Sequence, residues 1–180
     1  MTKSALQVAR AAYKPKMPKA LYGSVRVEEG AATQSVADQD EVKKLFPNTY
    51  GMPILKFVES AEKANFPAMN VGVILSGGQA PGGHNVIAGI FDGIKSLNKD
   101  SKVYGFLMGP GGLVDHKYQE LTSEIIDEYR NTGGFDIIGS GRTKLETKEQ
   151  FDKGLEILKK LDIKALVIIG GDDSNTNACV

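Results

Sequence analysis

The sequence has a single cysteine, Cys179, in 180 residues. That excludes an internal disulfide framework and fits a reducing compartment, so the cytoplasm is the expected home. Neither sign of charge is in surplus: 22 basic residues face 22 acidic ones. A neutral balance argues against a general nucleic-acid binder and against a protein held on a membrane by charge. No apolar run approaches the roughly 18 residues of a membrane span. Internal repeats and low-complexity segments are absent too. With 41% hydrophobic residues, the chain has the composition of an ordinary globular protein, long enough for one domain with a core of its own.

The common phosphate fingerprints are also missing. Residues 70–85 read NVGVILSGGQAPGGHN. Four residues separate Gly77 from Gly82, but Gly83 and His84 stand where a Walker A loop needs Lys and Ser or Thr, and no G-x-G-x-x-G occurs. What is present is the underlying plan. Val71 to Leu75 is a short apolar run rich in β-branched residues, which reads as a buried strand. A glycine loop follows, then Ile87, Ile90, Phe91, Ile94 and Leu97 at helical spacing over 85–98. Glycines let a backbone approach an anion, and free N–H groups at a helix start point at it. Spacing alone leaves a phosphate loop and a tight structural turn on level terms.

Ahead of this module lie about 65 residues of different character. Lys3, Arg10, Lys14, Lys16 and Lys19 precede the first acid, Glu28. An acid-poor start can mark a transit peptide, but those are usually richer in Ser and Arg; a short helix from Ser4 to about Tyr13, stopped by Pro15 and followed by a solvated basic tail, is the plainer reading. A second helix is expected over Val36–Phe46, ending at Pro47. Pro47, Pro53 and Pro67 mark 47–70 as a connector with at most one short helical piece. The division is therefore a helical extension and connector over 1–69 and an α/β region over 70–180.

In that region strands are expected at 71–75, 102–107, 135–138 and 165–169, and helices at 85–98, 123–130 and 148–161. Thr147 and Gln150 stand at capping-box spacing, and Phe151, Leu155, Leu158 and Leu161 form an apolar stripe. Alternating strands and helices imply a mostly parallel sheet with helices on both faces. Each strand runs into a glycine-rich loop: SGGQAPGG, GPGG, GSGR and GGDD. In such sheets the strands' carboxyl ends share one edge, where ligands bind. Arg142 offers a cation to phosphate oxygens. Asp172 and Asp173 offer hard oxygen donors suited to Mg²⁺. Together these point to phosphoryl transfer. The competing reading is a tight turn that opens a helix at Ser174, although adjacent aspartates with nothing to bind repel each other.

The segments SGGQAPGGHN at 76–85, GSGR at 139–142 and GGDDSNTNA at 170–178, with LFPNTYG at 45–51, resemble the long-form pyrophosphate-dependent phosphofructokinases. The resemblance covers essentially the whole chain. It implies a Rossmann-like α/β three-layer sandwich and reversible, Mg²⁺-dependent phosphoryl transfer between pyrophosphate and the 1-position of fructose 6-phosphate, a step of glycolysis, in an enzyme expected to be a homo-oligomer. Residue by residue, it sets the loop holding Gly77, Gly78, Gly82 and Gly83 against the transferred phosphoryl group, Gly78 foremost. Arg142 corresponds to the arginine that reaches the donor, and Asp172 to the aspartate that holds Mg²⁺. Asp173 replaces a glycine of ATP-dependent relatives and marks pyrophosphate specificity. Ser174 and Asn175 open the next helix beside the phosphates. Lys144 is either a donor contact or a solvated loop lysine, and His84 either a phosphate donor or a structural cap. Asp92, Asp115 and His116 read as surface residues. The family's catalytic base lies in a T-I-D motif, and none occurs here. The expectation is thus a fragment carrying the donor half of a site, inactive alone. An ATP-dependent kinase of the same fold, a non-catalytic regulatory subunit and a free phosphate-binding module are the alternatives. Asp173 argues against the first, retention of Asp172 and Arg142 against the second, and termination inside a helix against the third.

Overall fold

The computed structural model describes residues 3–18, 24–62 and 65–180. They form two compact units, one of residues 3–13 with 66–178, the other within 14–65. Helix α1 (Ala5–Ala12) opens with a full capping box, Ser4 and Gln7 satisfying each other's backbone N–H. Its last carbonyls are met by Asn131, whose side-chain amide donates to Arg10 O and Tyr13 O. These first residues therefore belong with the α/β unit and not with an extension. Lys19 lies outside the described residues.

The second unit corrects the expectation of a helical extension. It holds an antiparallel pair, β1 (Val25–Ala32) and β2 (Pro53–Glu59), with α2 (Gln39–Leu45) between them. The cause is visible in the residues. Val25 and Val27 alternate with Arg26 and Glu28, the period of a strand with one wet face. Val27 stands opposite Phe57, an aromatic and β-branched pair of the kind that stabilises a ladder. Helix α2 is shorter than expected, because Asp38 takes a left-handed conformation and the helix starts only after it.

The α/β unit is built on β3 (Asn70–Leu75), whose last five residues are buried. Its pleat sends Val73 and Leu75 into one core and Ile74 into another. Helix α3 (Gly83–Leu97) covers the first face through Ile87, Ala88 and Phe91. Strand β4 (Lys102–Phe106) pairs parallel with β3. A short helix α4 (Pro110–Val114) follows, then β5 (Tyr118–Leu121), antiparallel to β4, and α5 (Ser123–Tyr129). Helix α6 (Lys148–Lys160), capped by Thr147 and Gln150 as its sequence requires, covers the second face through Ile157. Strand β6 (Ile163–Ile169) pairs parallel with β3 and leads into α7 (Asp172–Cys179). The sheet order is β5-β4-β3-β6. It is a mostly parallel sheet between two helical layers, as the alternation of elements implies.

One expected strand is not a strand. Residues 135–138 run as irregular chain, and the neighbour of β4 opposite β3 is β5. Phe135, Ile137 and Ile138 are buried all the same. Ile138 lies flat on Gly105 of β4, where a Cβ would come within 2.4 Å of its Cγ2. The FDII run packs on the sheet's face instead of lengthening it. Its following loop still reaches the ligand edge, through a single parallel bridge between Gly141 and Ser76.

Candidate functional site

The strand order locates the crevice. From β3 the chain crosses through α3 to β4 on one side, and later returns through α6 to β6 on the other. The loops after β3 and β6 therefore splay apart, and a cleft opens between them at the sheet's carboxyl edge. A pocket of about 710 Å³ lies there. Gly77, Gly78, Gly82 and Gly83 line one wall, Asp172, Asp173 and Ser174 the opposite one, and Arg142 stands at the rim between them. Eight of the ten sequence-predicted residues thus meet in one pocket, from three loops far apart in the chain.

The two others do not. Lys144 lines a neighbouring hollow of about 200 Å³, together with Arg142, Asp173, Ser174 and Asn177. Its Nζ lies 3.9 Å from Asp173 Oδ2, and both side chains are largely exposed. Asn175 lines neither space. Its backbone N–H and its side-chain amide both donate to Gly171 O at 3.0 Å, turning it back along its own helix.

The glycine wall works differently from the expected cradle of free amides. Gly82 N–H donates to Gly133 O at 2.8 Å and His84 N–H to Gly134 O at 2.9 Å. Those two helix-start donors are spent on the 130s loop. The glycines supply space instead. A Cβ on Gly83 would fall 2.3 Å from Phe135 Cδ2, and one on Gly78 would fall 2.9 Å from Arg142 Nη2. Bare backbone at 78 is what lets the guanidinium lie against the loop. His84 is a buried structural residue, as one of its two readings had it.

The walls are laced together. Ser76 N–H donates to Ile169 O at 2.7 Å, and Gly77 N–H to Gly141 O at 2.8 Å. Ser174 Oγ donates to Ser76 Oγ at 2.7 Å, joining α7 to the loop after β3. Asn177 both accepts from Leu145 N–H, at 3.0 Å, and donates to Leu145 O, at 2.8 Å, as a strand neighbour would. Sequence reading missed Asn177 and Phe135. For Asn177 a signal exists: four residues after Asp173 on a helix, it shares that residue's face. For Phe135 there was none, since its place depends on the fold of an irregular segment. Asp92, Asp115 and His116 lie away from the pocket; Asp92 takes a bidentate pair from Arg130 at 2.7 and 3.0 Å.

Asp172 and Asp173 open α7, where the positive end of the helix favours carboxylates. That relief weakens the argument that paired acids must have a ligand. Among the described residues no cluster of three or more His, Cys, Asp or Glu gathers. Two carboxylates beside a glycine-walled pocket nevertheless fit Mg²⁺, which takes one or two protein oxygens and leaves the rest to phosphate and water. No helix of the described residues is long and apolar enough to cross a membrane.

Comparison with known proteins identifies the family. The phosphofructokinase family model matches residues 70–179. Over its whole length the chain is 66% identical to the pyrophosphate--fructose 6-phosphate 1-phosphotransferase of Porphyromonas gingivalis, covering 33% of that protein. It is 48% identical to the enzyme of the same name from Entamoeba histolytica, again covering 33% of it. The chain thus spans about a third of the length of these curated relatives. Among solved structures, a Pichia pastoris phosphofructokinase in the T-state superimposes with a TM-score of 0.52 at 30% identity, over 67% of this chain and 13% of that one.

Proposed function

The chain belongs to the phosphofructokinase family, and from that premise we propose that it carries the donor half of a site for reversible phosphoryl transfer between pyrophosphate and the 1-position of fructose 6-phosphate. The observation that carries the reading is the meeting of Arg142 with Asp172 and Asp173 across one glycine-walled pocket. A transferring phosphoryl group spreads negative charge over its equatorial oxygens. The Arg142 guanidinium, lying against the bare backbone of Gly78, offers a cation to those oxygens as the charge develops. Asp172 would hold Mg²⁺, which would supply positive charge to offset that of the phosphates. Asp173 sets which donor is accepted. A nucleotide brings a further phosphate and a nucleoside past the space pyrophosphate fills, and a carboxylate there meets it with bulk and like charge. Ser174 keeps the acidic wall at a set distance from the loop after β3, through Ser76. The base that takes the sugar hydroxyl proton, a homo-oligomeric enzyme, the cytoplasm and a place in glycolysis belong to the same reading.

The test is a donor comparison in the full natural protein. Fructose 6-phosphate should be phosphorylated with pyrophosphate and far more slowly with ATP. Asp173→Gly should raise the rate with ATP and lower it with pyrophosphate. A ratio of the two rates that stays put removes Asp173 from its role.

A further inference from the structure

His84 is 3% exposed, yet the proposed chemistry makes no use of its imidazole. Its bonding is unusually complete. Thr132 Oγ1 donates its one proton to Tyr129 O at 2.6 Å, so toward His84 Nδ1, 2.5 Å away, it can only accept. Nδ1 therefore carries the ring proton. The other nitrogen, Nε2, faces the backbone N–H groups of Asp136 at 2.9 Å and Ile137 at 3.1 Å and accepts from both. The ring's own backbone N–H donates to Gly134 O. Tyr129 stacks edge-on at 4.8 Å.

One group competes. Asp136 Oδ1 lies 2.8 Å from Nε2 and would favour a protonated ring. The carboxylate, however, is 75% exposed and free to turn to water, whereas the two amides are fixed by the chain. Burial, the larger influence, also holds the imidazole below its ordinary pKa, against the pull of Asp136.

We propose that His84 is a positioning residue of the donor pocket, a neutral Nδ1–H imidazole that pins the 132–137 segment to the start of α3. The inference rests on the donor reading above. The pinned segment carries Phe135 into the pocket wall against Gly83 and leads directly to the turn bearing Arg142. With Nε2 lost, the Asp136 amide and the buried Ile137 amide lose their acceptor and the segment relaxes, taking the wall and the approach to Arg142 with it.

The experiment uses the full natural protein with ¹⁵N-labelled histidine, and pyrophosphate with Mg²⁺ as the probe ligand. The His84 ring should give the spectrum of a neutral Nδ1–H tautomer throughout pH 6–8. His84→Gln, whose amide oxygen can still accept from the two backbone amides, should bind pyrophosphate within about threefold of the parent. His84→Phe, which fills the space and accepts nothing, should bind about tenfold more weakly, the scale of one abandoned buried hydrogen bond. A cationic or Nε2–H ring overturns the proposal. So does a His84→Phe protein that binds as tightly as the parent, or a His84→Gln protein as weak as His84→Phe. If His84→Phe fails to fold, the spectrum and His84→Gln decide. A parent protein that ignores pyrophosphate overturns the donor reading instead, and the ring spectrum still tests the bonding of His84.

Discussion

Two helices begin at the edges of the same pocket, each after a parallel strand and a pair of glycines, and they are opposites. The start of α3 is closed. Gly83 and His84 are buried, and the Gly82 and His84 amides are bonded to the 130s loop. The start of α7 is open and acidic, with no residue of the helix buried and Asp172 and Asp173 in its first turn. Strand, glycine loop and helix is therefore not one device with one use. In α3 the module fixes a wall, and close packing is its product. In α7 the same module presents charge, with two carboxylates in its first turn lining the pocket. The strands that the two helices follow differ too: among the described residues β3 lies between two neighbours, while β6 pairs on one side and is only partly covered.

The sharpest way to break the contrast is on the acidic side. In the full natural protein, Asp172→Ala should cut turnover at least about a hundredfold, the usual scale for losing one electrostatic contact to a transition state. Undiminished turnover at saturating Mg²⁺ would remove Asp172 from the metal role.

On the closed side the expected effect is on folding. Gly83→Ala puts a Cβ 2.3 Å from the Phe135 ring, and the ring must move within a packed core. Overpacking of that kind costs about 1–3 kcal/mol, readable as a lower denaturant midpoint at unchanged slope. A variant as stable as the parent would show that the 130s segment gives way freely, and the closed wall would lose its meaning.

How much of this could be read in advance follows from where each signal resides. β3, α3, α6 and β6 carry their information locally, in β-branched runs, helical spacing and the Thr147–Gln150 box, and they stand where their residues put them. Arg142 and Asp172 stand out in the sequence because their residue types, in glycine-rich loops, suggest a phosphate and a metal partner, and the fold brings both to one pocket. The FDII run was misread because its three apolar residues look alike on a sheet's face and in its ladder; only the presence of β5 at the edge of β4 decides. The β1 and β2 pair was missed because prolines and charges drew attention from a two-residue alternation. Asn175 and Asn177 show the finer limit. Both are polar residues in one motif, and only the helical phase separates the one turned back to Gly171 from the one holding Leu145.

The smallest effect tests whether the acidic edge is balanced by a fixed cation. Lys144 approaches Asp173 to 3.9 Å with side-chain exposures of 54% and 88%. A pair so open to water and salt contributes about 0–1 kcal/mol, and at this distance the lower end applies. Lys144→Ala should therefore leave the unfolding midpoint within the scatter of replicate measurements. It lines the smaller hollow, which adjoins the main pocket at Arg142, Asp173 and Ser174, and its Nζ faces Asp173. The KM for pyrophosphate should rise no more than about threefold, and the rise should vanish at high salt, because a charge acting from a distance is screened within about 10 Å at 0.1 M ionic strength. A tenfold rise that survives high salt would mean that Lys144 swings into the pocket and binds phosphate directly. The acidic start of α7 would then have a dedicated counter-charge, and the contrast with α3 would lie in which partner each helix recruits, not in whether it has one.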